Sequence, residues 1–81
     1  TQFRSKHMHK LPAISPQKLA RALEQAGFEL KRVKGSHHYY YNPETEKIAV
    51  VPFHKKDLPK GTLHAILRDA DISIEELAGL L

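Results

Sequence analysis

Cysteine is absent from this chain, so it holds neither a disulfide framework nor a thiolate metal site, and a cytoplasmic setting is the expectation. Long apolar runs are absent as well. The densest, Ile48 to Val51, falls far short of the ~18–20 residues of a membrane span, and no charged-then-apolar leader opens the sequence. Length is short: 81 residues leave no room for a second independent core. The histidines lack cysteine partners and metal-ligand spacing, so neither a metal nor another cofactor is expected. Basic residues are missing from the C-terminal end, where Asp69, Asp71, Glu75 and Glu76 stand without a lysine or arginine.

The basic residues are in the middle. Thirteen lysines and arginines against nine acidic residues give a net charge of +4. From Lys31 to Lys60, Lys31, Arg32, Lys34, Lys47, Lys55, Lys56 and Lys60 face only Glu44, Glu46 and Asp57, and His37, His38 and His54 share the stretch. A phosphate-bearing partner is drawn to such a region, although an ordinary solvated lysine-rich surface has the same composition.

Thr1 to Lys10 shows no hydrophobic period, and Met8 reads as a natural start. Residues 1–10 are therefore set aside as a leader or remnant, with His7 and His9, and 11–81 are read as a single domain. Ser15-Pro16 opens a helix with a hydroxyl cap followed by proline at the first helical position. Leu19, Ala22, Leu23 and Ala26 form its apolar stripe, and Gly27 ends it.

Phe28 to Lys34 alternates as a half-buried strand, with Phe28, Leu30 and Arg32 opposite Glu29, Lys31 and Val33. Gly35 provides backbone freedom where the chain reverses into a second strand, His37 to Tyr41. There a period of two puts His37, Tyr39 and Tyr41 on one face and His38 and Tyr40 on the other, so the two histidines part. Periodicity leaves open which face is the core. Asn42 to Glu46 is a turn by composition, and Lys47 to Phe53 is a third strand, apolar enough to be expected at the centre of the sheet.

A basic loop from His54 leads into a helix from Pro59 or Gly61 to Ala70, buried along Leu63, Ile66 and Leu67, with Lys60 at its anion-attracting N-terminus. Ser73 and Glu76 form a capping box for a last short helix whose Ile74, Leu77 and Leu81 complete the core or meet a partner. The fold class is thus α+β, in the α-β-β-β-α order of the double-stranded-RNA-binding domain, with a short extra C-terminal helix.

Four segments together resemble the HicA toxins of bacterial and archaeal toxin–antitoxin pairs: Lys34-Gly35-Ser36-His37-His38, Ala49-Val50-Val51-Pro52-Phe53-His54, Asp57-Leu58-Pro59-Lys60-Gly61-Thr62-Leu63 and Ile66-Leu67-Arg68-Asp69-Ala70. The resemblance runs from about Ser15 to Leu77. It implies a double-stranded-RNA-binding-like fold and an mRNA interferase, a ribonuclease held inactive by a HicB-type antitoxin protein. The family's single essential histidine follows its glycine-serine pair, which corresponds to His37; the doubling here leaves His38 as the alternative. A monomer that forms a hetero-oligomer with the antitoxin is expected, with no membrane partner.

RNA carries its own nucleophile, the 2′-hydroxyl. Cleavage therefore needs a group to move a proton and cations to offset phosphate charge, and an imidazole titrating near ~6.5 suits the first task. The catalytic candidate is His37, and the RNA-binding candidates are Lys34, Gly35, Ser36, His38, His54, Lys55, Lys56 and Lys60. Tyr39 to Tyr41 are read as packing residues, with base stacking as the minor reading, and His64 as inert. The competing function is a non-catalytic RNA-binding module of the same fold.

Overall fold

The computed structural model describes residues 13–81, and the leader Thr1 to Lys10, with His7 and His9, lies outside them. Its elements are α1 (Pro16–Gln25), β1 (Glu29–Lys34), β2 (His37–Asn42), β3 (Lys47–Pro52), α2 (Lys60–Ala70) and α3 (Ile74–Leu80). This is the expected α+β order.

Local chemistry sets the helix ends. Ser15 Oγ accepts from the backbone N–H of Lys18 at 3.1 Å, and Pro16 occupies the first turn, where its missing donor costs nothing. At the other end Gly27, with φ +103°, closes a Schellman motif. Its N–H donates to Glu24 O and the N–H of Phe28 to Leu23 O, which folds the Phe28 ring into the core. Asp71 ends α2 in the left-handed region at φ +60°. Both hydrogen bonds of the Ser73–Glu76 capping box are made, at 3.0 and 2.8 Å.

The three strands form an antiparallel sheet in the order β1-β2-β3. The centre is therefore β2, which corrects the expectation that β3 lies there. The apolar density of β3 has another cause: α2 and α1 both pack on this edge strand, and Ala49 and Val51 are fully buried beneath them. One cluster joins Leu19 and Leu23 of α1, Tyr40, Ala49 and Val51 of the sheet, Leu63, Ile66 and Leu67 of α2, and Leu77 of α3. The helices thus cover one face of the sheet. In α3 Leu77 is fully buried, and Leu80 packs on the cluster where the sequence reading had put Leu81, which is exposed.

β1 also departs from expectation, since all six of its residues are exposed. The register shifts between Leu30 and Arg32, a bulge that takes Lys31 out of the alternation. Leu30 and Val33 then share the face of Tyr40 and His38, while Arg32 and Lys34 turn to the face of Tyr39 and His37. The helices lie over β3, so the far edge of the covered face stays open to water, with Leu30 and Val33 half exposed. Among the described residues no helix is long and apolar enough to cross a membrane.

Candidate active site

The hairpin between β1 and β2 places Lys34, Gly35, Ser36, His37 and His38 together at one end of the sheet. Lys34 pairs with His37 across the two-residue loop Gly35-Ser36, and His37 pairs with Pro52 on its other side. Gly35 has φ +60° and Ser36 is not left-handed, the pattern of a type II′ turn. The N–H of Phe53 donates to Ser36 O at 2.6 Å, carrying the ladder one step beyond Pro52. The turn is thereby fixed beside Phe53 and His54, where the loop bearing Lys55 and Lys56 begins.

The two histidines leave β2 on opposite sides, as alternation requires. His38 lies on the helix-covered face, half-buried, its ring stacked on Phe53 with centroids 3.7 Å apart and planes at 18°. His37 lies on the open face and is exposed. Among the described residues its imidazole has neither a hydrogen bond nor an ion pair, so both nitrogens are available to a substrate. His64 is different: its Nδ1 lies 3.0 Å from Lys60 O and donates to it as the Nδ1–H tautomer.

Basic side chains stand on the hairpin, on the loop after β3 and at the first residue of α2, with the carboxylate of Asp57 among them. Lys34, His54, Lys55, Lys56 and Lys60 are exposed, and none of them has an ion-pair partner among the described residues. Pro59 holds the cap position of α2 without a side-chain acceptor, leaving the first-turn N–H groups near Lys60 open to an anion. Among the described residues no group of three or more His, Asp or Glu side chains is placed to hold a metal ion.

The far end of β2 is built for holding. Asn42 is buried; its Nδ2 donates to Ala26 O at 3.4 Å and its Oδ1 accepts from the N–H of Glu44 at 2.9 Å, clamping the end of α1 to the β2–β3 turn. Between the two ends, burial and then the nearby charge of Glu24 raise the Tyr40 phenol above its ordinary value of 10.0. Sequence reading missed three features: the Asn42 clamp, the Phe53 stack and the seating of Arg32 over the Tyr39 ring, 4.7 Å from its centroid. Only the Arg32 placement had a signal, an aromatic opposite a cation, and the bulge hid it by reversing the face of Arg32.

A family model described as the HicA toxin of bacterial toxin–antitoxin systems matches residues 16–72. The chain belongs to the HicA toxin family. The match begins at the first residue of α1 and runs through α2, so it includes His37 and every nominated contact residue. Helix α3 lies beyond it, although Leu77 fills the same core. Membership in a toxin–antitoxin family also implies an antitoxin as partner. No individual curated protein matches the chain.

Proposed function

We propose that this HicA-family chain is a metal-independent endoribonuclease that cleaves mRNA, with His37 as the proton-transfer group. The observation carrying this reading is an exposed imidazole at a fixed turn, without a hydrogen bond or ion pair among the described residues, with Lys34 paired across from it and Lys55, Lys56 and Lys60 on the segment that follows β3. His37 removes the proton of a ribose 2′-hydroxyl, and the 2′-oxygen attacks the adjacent phosphorus. The 5′-oxygen leaves with a proton from water, giving a 2′,3′-cyclic phosphate and a 5′-hydroxyl end. Lys34, Lys55, Lys56 and Lys60, with the open N–H groups of α2 and Gly35-Ser36, offset the charge that grows on the phosphate. With one histidine in place of an acid–base pair, turnover is modest, which suits a toxin.

His38 takes a positioning role in this account, because its stack on Phe53 steadies the strand from which His37 projects. The antitoxin holds the cytoplasmic toxin inactive by covering the His37 end, whose cations match an acidic partner. The test is incubation of RNA with the purified chain and with His37→Ala, with and without EDTA. Cleavage that persists in EDTA, leaves cyclic phosphate ends and disappears in His37→Ala is the expected result. RNA binding without products from the unaltered chain would replace this reading with the non-catalytic module.

A further inference from the structure

The helices cover one face of the sheet, and the other has no partner within the described chain. His37, Tyr39 and Tyr41 project from it in a row along the central strand, with Arg32 and Lys34 beside them on β1 and Ile48, Val50 and Pro52 on β3. Both tyrosines are half-buried, which leaves ring surface open, and Ile48 is more than half exposed. Lys31, Arg32, Tyr39, Tyr40, Tyr41 and Ile48 line a shallow groove of about 300 Å³ here.

The charge on this face is predominantly positive. Arg32 and Lys34 point outward, and the only carboxylate projecting with them from the strands, Glu29, is paired with Lys31 at 3.0 Å. Aromatic rings on a strand with cations at the rim offer base stacking and phosphate pairing together, a surface for an unpaired polynucleotide. A duplex hides its base faces and gains nothing from the rings.

We propose that the open sheet face is a stacking platform for single-stranded RNA, two bases resting on Tyr39 and Tyr41 while the backbone runs along β2 to His37. This inference rests on the ribonuclease reading and adds to it the form of the substrate and the surface that presents it. Side chains two apart on a strand are ~6.6–6.8 Å apart, close to the advance per nucleotide of an extended strand, so consecutive nucleotides meet Tyr41, Tyr39 and then His37. Arg32, already over the Tyr39 ring, either stacks on the base or yields its place and pairs with phosphate.

The test uses a short fluorescent oligoribonucleotide of mixed sequence and its duplex, titrated into the His37→Ala chain so that binding is read without cleavage. The single strand is expected to bind more tightly than the duplex. Replacing Tyr39 or Tyr41 by alanine is expected to weaken single-strand binding about tenfold. Phenylalanine at either position is expected to retain it, and I48E, at an exposed site, to lower it several-fold. Circular dichroism checks that each variant is folded; should an alanine variant unfold, the phenylalanine variants and I48E decide.

Equal affinity across the folded variants, or preference for the duplex, overturns the platform. So does a result in which the variants keep RNA affinity and lose binding to antitoxin or self-association, which assigns the face to a protein partner. The same oligonucleotide given to chains with His37 intact separates the two claims. Undiminished cleavage by the tyrosine variants overturns the platform alone, whereas no cleavage by the unaltered chain overturns the ribonuclease reading.

Discussion

The two faces of β2 divide the molecule's work between adjacent residues. On the covered face His38 stacks on Phe53, Tyr40 is buried and Asn42 bonds to α1, each held by a neighbour. On the open face His37, Tyr39 and Tyr41 meet solvent, and the His37 imidazole has no hydrogen-bond or ion-pair partner among the described residues. A strand reverses the environment at every step, so neighbouring residues of similar chemistry answer to different demands. Substitutions on one face should lower stability, and those on the other should lower function.

His37→Ala breaks the comparison most sharply. Loss of the proton-transfer group is expected to reduce cleavage about 10²- to 10⁴-fold, while an exposed side chain without partners leaves stability within about 0.5 kcal/mol. Denaturant titration beside an RNA assay reads both. Leu77→Ala is the converse. It leaves a cavity beneath α3 and should cost about 2–5 kcal/mol, with cleavage by the fraction still folded unchanged. A small cost there would mean that α3 is an appendage to the core.

Asn42→Ala removes the clamp and leaves Ala26 O and the N–H of Glu44 without it, for an expected loss of about 1–3 kcal/mol by denaturant titration. Tyr40 gives the smallest and most specific effect. Its folded pKa lies above 10.0, raised first by burial and then by Glu24. Well below pH 10 the phenol is protonated in both states, and its contribution is fully present. As pH rises toward and through the folded value, the unfolded chain releases its proton first and that stability is lost. Melting temperatures across this range should fall less steeply for Tyr40→Phe than for the unaltered chain, and equal slopes would count against the burial argument.

What the sequence made legible follows from how local each determinant is. The cap at Ser15, the stop at Gly27 and the Ser73–Glu76 box act within one or two turns, and they were readable as residue types at fixed spacing. The separation of His37 from His38 was readable for the same reason, since it needs only a period of two. The identity of the covered face was not, because it depends on where α1 and α2 land, and both faces of β2 carry tyrosine.

The misread burial of β1 has the same origin. Leu30 and Val33 alternate plausibly, but a bulge at Lys31 and helices seated over β3 together leave them in water. Likewise the centre of the sheet cannot be inferred from apolar density. β3 is apolar because helices rest on it, while the central β2 carries histidine and tyrosine. The reversal at Gly35 between Lys34 and His37 was anticipated from residue types alone; the hydrogen bond from Phe53 to Ser36 that fixes it was not.

The most direct measurement compares RNA cleavage by three folded chains: unaltered, His37→Ala and His38→Ala. The account predicts products from the unaltered chain, none above background from His37→Ala at unchanged stability, and continued cleavage by a less stable His38→Ala. Cleavage at the unaltered rate by His37→Ala, or its loss only in a well-folded His38→Ala, would contradict the assignment of chemistry to the open face.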